Sequence, residues 1–457
     1  MSRVLTDAAA YAAGFLSGLP DRRVGWDTSV EELRDALDGP LPDGSLPADD
    51  VIAALIKGAE PGVVGTTSPR YFGFVIGGSL PAAVAADWLT TAWDQNAGLY
   101  VGGPSASVVE ETAGRWLKDL LRIPASASFG LVTGCQMAHF VGLAAARHHL
   151  LAGAGWDVEA NGLNGAPPIR VLAGAQRHVT IDRALRYLGL GTSCITEIPT
   201  DDQGRMEIEL LRQALGADDG LAIVCAQAGN VNSGSFDLIA EVCEVANQSG
   251  AWVHVDGAFG LWAAASPRLS HLVEGAAAAD SWATDGHKWL NVPYDSGLAF
   301  CAHPESHRAA MSVHANYLIH SEGAKERDQV DWTPEFSRRA RGFTIYAALR
   351  SLGRQGVSEL IERCCSNARS FAQQLSEQPD IEVLNDVVLN QVLVRFRDDD
   401  QVTREVVTKV QEEGTCWLSG SMWRDRAVMR ISVSNWATSQ EDVDRSAEAI
   451  LRCAASI

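Results

Sequence analysis

The sequence lacks long apolar runs and has little positive charge. No stretch reaches the roughly 18 consecutive apolar residues that a membrane-spanning helix needs, so no membrane span is expected. Lysine and arginine together number 37 against 57 aspartate and glutamate residues, which gives a formal net charge of −20. Because nucleic acids and anionic membranes bind basic surfaces, we expect neither as a partner of this chain.

The sequence also lacks a cysteine framework. Its nine cysteines are an odd number and none follows the Cys-x-x-Cys spacing of zinc sites and redox motifs. A chain of 457 residues, 46% of them hydrophobic, buries a large core without disulfides. We therefore expect reduced thiols, no metal site and a cytoplasmic protein. The first twenty residues carry an acidic residue within their apolar run, which favours a helix over a signal peptide.

Short apolar runs alternate with helical patterns through the middle of the chain. The runs are RVLAGA from residue 170, LAIVCAQAG from 221, AWVHVDGAFG from 251 and SGLAFCAH from 296. Between them, apolar residues recur three or four positions apart, as they do in amphipathic helices. This alternation predicts an α/β fold over residues 63–342, with a mostly parallel sheet flanked by helices.

The two ends of the chain have different patterns. Residues 1–62 show helical segments separated by DGPLPDGSLPADD, whose proline and glycine residues favour loops. We predict an N-terminal helical arm there. Residues 343–457 begin with a long helical pattern and continue with the strand-like segments QVLVRFR and VMRISVSN and a closing helix. This order predicts a small C-terminal α+β domain.

Four positions after the predicted strands carry groups that suit a ligand site. Asp256 ends the run AWVHVD, where burial without a partner would be costly. Lys288 lies in DSWATDGHKWLNVPYDSG without another lysine or arginine nearby, and His178 follows RVLAGAQR. The fourth is the glycine turn at Gly134, which opens a helical segment whose free amides suit a phosphate.

Pyridoxal phosphate is a cofactor that needs all four groups. Its aldehyde forms a Schiff base with a lysine, its ring nitrogen pairs with a carboxylate, its phosphate binds helix amides and its ring needs a stacking partner. We therefore predict a pyridoxal-phosphate enzyme in which apolar surroundings hold Lys288 near neutral and Asp256 keeps the ring nitrogen protonated. Each residue alone also has an ordinary structural interpretation, such as a lysine stem on an apolar surface or a histidine in the core.

Five segments resemble successive motifs of one enzyme family. TGCQMAHF, QRHVTIDRALRYLGLG, AGNVNSGSFDLI, HVDGAFG and TDGHKWLNVPYDSG are similar to motifs of the group II pyridoxal-phosphate decarboxylases, which include the aromatic amino acid and glutamate decarboxylases. The resemblance runs from about residue 65 to the C-terminus. It implies the fold type I architecture, a carboxy-lyase acting on an amino acid, and a homodimer with the apolar segment WDQNAGLYVGGPS, residues 93–105, at the interface.

The resemblance also implies roles for individual residues. Lys288 would bind the cofactor covalently, Asp256 would pair with its ring nitrogen and His178 would stack on its ring. The other implied cofactor-binding residues are Ala258, Gly134, Cys135, Asn230, Asp285 and His287. We predict that the substrate contacts Tyr71, Phe72, Tyr100 and Arg430, and the aromatic residues among them favour an aromatic or apolar side chain.

One segment departs from the family pattern. The loop after YLIHS normally supplies a tyrosine that protonates the substrate carbon after carbon dioxide leaves, whereas residues 321–342 contain no tyrosine. Alignment on Trp332 puts Gln329 in that place, and an amide is no general acid. Either His320 or a tyrosine of a second subunit donates the proton, or the enzyme is an aldehyde-forming decarboxylase or a carbon–carbon lyase. The charged loop itself is expected to be a mobile lid.

Overall fold

The computed structural model describes residues 2–312 and 326–457, which form two β-sheets surrounded by helices. The helices are α1 Ser2–Gly18, α2 Val30–Leu37, α3 Ala48–Ala59, α4 Pro81–Trp93, α5 Pro104–Leu120, α6 Cys135–Gly153, α7 Val158–Asn161, α8 Val179–Tyr187, α9 Ile208–Gly216, α10 Ile239–Gln248, α11 Pro304–Met311, α12 Gly342–Ser376, α13 Asp400–Glu413 and α14 Gln440–Ala455. Short 3-10 helices span Glu60–Gly62, Tyr100–Gly102, Gly260–Ala265, Ser270–Val273, Ala276–Ala278 and Gln329–Asp331.

The strands divide into a larger and a smaller sheet. They are β1 Ser128–Val132, β2 Ile169–Gly174, β3 Ile195–Ile198, β4 Leu221–Gln227, β5 Trp252–Asp256, β6 Ser281–Asp285, β7 Gly297–Cys301, β8 Ile381–Val383, β9 Gln391–Phe396, β10 Ser419–Trp423 and β11 Arg426–Ser432. The larger sheet has the order β1-β7-β6-β5-β4-β2-β3, and the smaller, antiparallel sheet has the order β10-β11-β9-β8.

The larger sheet is parallel except at β7, which runs antiparallel to both of its neighbours. Its inner strands are largely buried on both faces, because α6, α8 and α11 cover one face and α9, α10, α5 and α12 cover the other. Strand β5 shows the alternation that results: Val253 and Val255 face the second group, whereas Trp252 faces the first. The predicted fold class, a mostly parallel sheet flanked by helices, is confirmed.

Three strands of the larger sheet, β1, β3 and β6, were not predicted from the sequence. The sequence of β6, SWATD, has polar residues at three of five positions although all five are buried. A fully buried strand normally has a continuous apolar sequence, so β6 gave no such signal. Its polar side chains are instead used in contacts within the site described below.

The remaining segments lie around these sheets. Helices α1 to α3 form the start of the chain, and α2 has no buried residue. Helix α12 is kinked at Gly353, whose φ of +62° favours glycine. None of the helices in residues 2–312 and 326–457 is long and apolar enough to cross a membrane. The division of the chain at residues 62 and 342 stays a prediction.

Candidate active site

Lys288 follows β6 and lies among acidic groups. Its Nζ is 3.2 Å from Asp285 Oδ2, and its side chain is 20% exposed. Burial by itself lowers the pKa of Lys288, but Asp285, the Cys135 thiol and Asp256 outweigh that effect and the pKa is raised. The prediction that apolar surroundings hold Lys288 near neutral is therefore wrong, because a carboxylate three residues earlier stabilises its charge. We call Lys288, Asp285 and Asp256 the lysine site.

The loop that carries Lys288 is fixed by a buried asparagine. Asn291 donates from Nδ2 to Trp289 O at 2.9 Å and to Ser434 O at 3.0 Å, and its Oδ1 accepts from Gly78 N at 2.6 Å. Segment 77–78 passes so close that a Cβ on Gly77 would lie 1.8 Å from Lys288 O. Sequence reasoning missed Asn291, although asparagine tolerates the left-handed conformation that it adopts here, with φ of +55°.

Asp256 ends β5 at the same sheet edge as Asp285, since β5 and β6 are parallel neighbours. Its Oδ1 accepts a hydrogen bond from Ala258 N at 3.2 Å. Its Oδ2 has no donor among residues 2–312 and 326–457, although the residue is only 5% exposed. The half-buried Ala258 presents only a methyl group next to this carboxylate. Asp256 therefore has one oxygen available to a ligand.

Helix α6 begins beside the lysine site. Val132 at the end of β1 and Asp285 at the end of β6 both pair with Gly297, which brings the two strand ends to one level. The amide of Cys135, the first residue of α6, donates to Asp285 Oδ1 at 2.6 Å. A phosphate at this helix start would be bound by other groups near Gly134, because the Cys135 amide already has a partner. His287 Nε2 lies 3.5 Å from Asp285 Oδ1.

His178 is the residue before α8 and caps that helix. Its Nδ1 lies 2.7 Å from Thr180 Oγ1 and accepts from Thr180 N at 3.4 Å. Burial lowers the pKa of His178, with Asp256 acting in the opposite direction and Lys288 lowering it further. His178 is therefore close enough to Asp256 and Lys288 for their charges to affect its pKa. Its stacking role stays a prediction.

Two predicted site residues have structural contacts instead. Asn230 is buried, donates to Gln176 O and Gln227 Oε1, and accepts from the amides of residues 232 and 233, so its side chain holds its own loop together. Phe72 is fully buried and packs edge-on against Phe371 with ring centroids 4.9 Å apart. The prediction that Phe72 contacts the substrate is therefore wrong for this structure, because the side chain belongs to the core.

The other three predicted substrate residues have separate contacts. Tyr71 stacks on Trp417 with ring centroids 5.1 Å apart. Arg430 lies 3.4 Å from Asn232 Oδ1, and burial lowers its pKa to about 10. Tyr100 contacts the segment that begins at residue 326, since its amide donates to Asp328 Oδ1 at 2.7 Å. Its part in a substrate site stays a prediction.

The segment 326–342, predicted as part of a lid, is packed into the protein. Gln329 is fully buried and donates from Nε2 to Ser107 Oγ at 2.8 Å. The Arg327 guanidinium lies over the rings of Phe129, at 4.0 Å, and Trp332, at 4.7 Å. These residues are packed in this structure, and their movement as a lid stays a prediction. His320, the predicted proton donor, lies outside the described residues.

A second group of buried charges joins this segment to α5. Arg338 donates from Nη1 to Glu110 Oε2 at 2.8 Å, and both side chains are almost fully buried. We call Glu110, Arg327, Gln329 and Arg338 the loop cluster. The sequence offered no signal for this pairing, because the partners of Arg338 come from positions more than 200 residues earlier.

Sequence reasoning also missed a tyrosine next to the lysine site. Tyr294 stacks on His287 with ring centroids 4.2 Å apart and is 58% exposed. Partial desolvation beside its neighbours raises the pKa of Tyr294, while the charge of Lys288 acts in the opposite direction. Tyr71 is close enough for the two phenols to interact electrostatically. Phe74 is also exposed, and its ring centroid lies 5.4 Å from that of Trp417, so Tyr294 and Phe74 are exposed aromatic side chains next to the buried pair Tyr71 and Trp417.

Comparison with known proteins agrees with this geometry. The family model for the pyridoxal-dependent decarboxylase conserved domain matches residues 31–397. An aromatic-L-amino-acid decarboxylase of Bacillus atrophaeus is 26% identical over 426 residues, 90% of this chain and 86% of the relative. Tryptophan decarboxylase 1 of Oryza sativa subsp. japonica is 28% identical over 437 residues, 88% of this chain and 84% of the relative.

Solved structures share the fold over nearly the whole chain. The structure of Oryza sativa TDC with PLP and tryptamine has a TM-score of 0.93 at 24% identity, covering 99% of this chain and 97% of that one. The Rhodiola rosea 4-hydroxyphenylacetaldehyde synthase has a TM-score of 0.89 at 22% identity, covering 100% and 98%. At 24% and 22% sequence identity, these two similarities show a shared fold.

Proposed function

Because the chain belongs to the pyridoxal-dependent decarboxylase family, we propose that Lys288 carries the cofactor and that the substrate is an aromatic amino acid. Family membership makes the protein a pyridoxal-phosphate-dependent carboxy-lyase acting on an amino acid. The observation that carries the assignment of the site is the convergence of Lys288 and Asp256 at the ends of neighbouring parallel strands.

The residues of the site fit this cofactor. Asp256 Oδ2 has no donor among the described residues, so it is available to the N–H of a protonated ring nitrogen. Lys288 supplies the amine, Ala258 leaves space for a flat ring and the start of α6 suits a phosphate. When bound, pyridoxal phosphate delocalises the electron pair that stays on the substrate α-carbon when carbon dioxide leaves.

The chain's own residues prepare this chemistry. Asp256 holds a proton on the ring nitrogen, and His178 covers the ring and limits access of water. Asp285 keeps a proton on Lys288 Nζ, 3.2 Å away, until the amine is needed for exchange with the substrate. Arg430 offers a buried guanidinium that orients a substrate carboxylate.

An aromatic substrate is supported by the surface beside Lys288. Phe74 and Tyr294, which are 56% and 58% exposed, lie next to the buried pair Tyr71 and Trp417, and aromatic rings prefer offset or edge contacts with other rings. The names of the curated relatives point to the same substrate class. Incubation with a panel of aromatic, aliphatic and acidic amino acids, with carbon dioxide measured, tests this. Faster release from glutamate than from any aromatic amino acid would contradict the proposal.

A second reaction, aldehyde-forming decarboxylation, is favoured by one observation. Residues 321–342 contain no tyrosine, and Gln329 is buried away from solvent. Without a fast proton donor, the carbanion has longer to react with oxygen. Amine, aldehyde and ammonia are therefore measured together with carbon dioxide in the same panel: amine alone identifies simple decarboxylation, and aldehyde with ammonia identifies the second reaction.

We also propose a homodimer in the cytoplasm. Trp88, Leu89 and Trp93 of α4 are each between 44% and 50% exposed, and Val101 in the adjoining segment 93–105 is 62% exposed. Such a patch of large apolar side chains supports an interface. All nine cysteines are unpaired, which suits a reducing compartment. Sedimentation of the protein across a range of concentrations tests the dimer, and a monomer at micromolar concentration would contradict it.

A further inference from the structure

A line of polar side chains runs through the core behind Asp256. His139 on α6 places Nε2 3.5 Å from Asp256 Oδ1. Its Nδ1 lies 2.9 Å from His254 Nε2, and His254 Nδ1 lies 2.8 Å from Ser281 Oγ. The line ends at Trp252, whose indole N–H donates to Ser281 Oγ at 2.9 Å. The roles proposed above do not use His139, His254 or Ser281.

The local fold places these groups together. His254 and Asp256 are two residues apart on β5, so they point to the same face of the sheet, toward α6. Gly142 follows His139 by three residues and lies on the same side of α6. A Cβ at Gly142 would lie 2.8 Å from His254 Cε1 and 2.9 Å from its Nδ1. The absence of a side chain at this position is what lets the His254 ring fit between strand and helix.

The groups at the two ends of this line determine which ring nitrogens of His254 and His139 carry a proton. Trp252 only donates, so Ser281 Oγ accepts from it and the serine proton is available to His254 Nδ1. His254 then donates from Nε2 to His139 Nδ1, and His139 carries its own proton on Nε2, facing Asp256. The reverse arrangement would point a nitrogen lone pair at a carboxylate. Burial lowers the pKa of both imidazoles to about 3, so both rings are neutral near pH 7.

We infer that His139 and His254 are positioning residues that form a neutral relay, which directs one N–H dipole at Asp256 and so favours its ionised form. This inference rests on the proposed pairing of Asp256 with the cofactor's ring nitrogen. The 3.5 Å separation is longer than an ordinary hydrogen bond, so the contact is an oriented dipole facing a charge. Cys135 Sγ lies 3.4 Å from the same Nε2, but a thiol is the weaker acceptor.

A neutral relay differs in its effect from a charged partner. A protonated histidine beside Asp256 would form an ion pair with it and compete with the ring nitrogen for the carboxylate. A neutral N–H stabilises the carboxylate and leaves its full charge for the ring nitrogen. The relay should therefore strengthen cofactor binding and keep the ring nitrogen protonated over a wider pH range.

Cofactor binding to the apoprotein, followed by absorbance titration, tests the relay without measuring turnover. His139→Gln keeps an N–H near the Nε2 position, whereas His139→Met keeps a similar volume without a donor. We expect His139→Met to weaken cofactor binding roughly tenfold and His139→Gln to weaken it by less than about threefold. Gly142→Ala, which removes no polar group but displaces His254, should weaken binding by more than His139→Gln does.

The protons can also be located directly. Isotope labelling of the histidine ring nitrogens, with the two signals assigned through His139→Gln and His254→Asn, shows by NMR which nitrogen of each ring is protonated. We expect Nε2 in both rings of the apoprotein. A proton on Nδ1 of His139, or equal binding by wild type, His139→Met and Gly142→Ala, would overturn the relay. If His139→Met does not fold, Ser281→Ala replaces it in the titration.

Failure of the relay and failure of the proposed function are distinguishable in the same titration. Lys288→Ala and Asp256→Asn test the function itself. If both bind the cofactor with wild-type affinity and absorbance, the proposed site is wrong. If they alter binding or absorbance while the His139 and Gly142 variants behave as wild type, the site stands and the relay alone is overturned.

Discussion

The loop cluster and the lysine site both bury charged side chains, and the contacts of these side chains differ. In the loop cluster, Arg338 pairs with Glu110 at 2.8 Å and also donates to two backbone carbonyls. In the lysine site, Lys288 has Asp285 at 3.2 Å but stays 20% exposed, and Asp256 Oδ2 has no donor among the described residues. The charges of Arg338 and Glu110 compensate each other inside the protein, although Glu110 Oε1 and Arg338 Nε have no hydrogen-bond partner among the described residues, whereas the amine of Lys288 remains partly exposed.

The comparison separates two reasons for burying a charge. An ion pair whose partners are both protein groups is a structural contact, and its loss leaves an uncompensated charge in the core. A partly exposed amine close to a carboxylate with an available oxygen can be reached by a ligand, and charges arranged in this way are frequent at catalytic sites. Substitutions in the two groups should therefore affect different properties of the protein.

The largest effect is expected at Lys288. On the proposed assignment, Lys288→Ala removes the amine that carries the cofactor, so turnover should fall by several orders of magnitude while the unfolding midpoint stays near that of the wild type. Steady-state assay and denaturant unfolding of the same preparation check both parts. Lys118→Ala, which removes a lysine outside the site, is the control. Activity of Lys288→Ala above one-tenth of wild type would contradict the assignment.

Asp256→Asn should have the next largest effect. The amide keeps the shape of the side chain but does not hold a proton on the ring nitrogen, so we expect roughly a thousandfold loss in kcat with the cofactor still bound. Absorbance of the bound cofactor and kcat are measured together. Wild-type kcat in a variant that binds the cofactor would show that Asp256 has another role.

In the loop cluster, the effect should be on stability. Arg338→Met leaves Glu110 buried without its partner and should lower the free energy of unfolding by about 3–5 kcal/mol. Replacing both residues, with Glu110→Leu added, should restore part of that loss because no buried charge remains. Chemical denaturation of the two variants measures this. A loss below about 1 kcal/mol in Arg338→Met would place the pair among weak surface contacts.

The smallest effect should follow a change at Gln329. Because its side chain is fully buried against Ser107, tyrosine at this position overpacks the core and should cost about 1–3 kcal/mol of stability. The ratio of amine to aldehyde should not change, since the side chain at this position packs against Ser107 inside the protein. A shift toward amine in Gln329→Tyr would show that this segment moves to the active site during turnover.

The sequence predicted those parts of the site that strand ends determine. Asp256 follows an apolar run, and a parallel sheet brings it next to the segment that carries Lys288. Gln329 could not be placed in the same way, because its burial depends on Ser107, which is 222 residues away in sequence. Strand β6 was missed because its polar residues serve the site rather than the core, and the histidine pair was missed because its contact joins a helix to a strand.

The central claim, that Lys288 carries the cofactor, is tested most directly by identifying the lysine to which the cofactor is attached. The chain has five lysines, so reduction of the holoenzyme with borohydride, digestion and mass spectrometry identify which one carries the cofactor. We predict the pyridoxyl group on the peptide that contains Lys288 and on no other lysine. Modification of Lys57, Lys118, Lys325 or Lys409 in place of Lys288, or a holoenzyme without any modified lysine, would contradict the account.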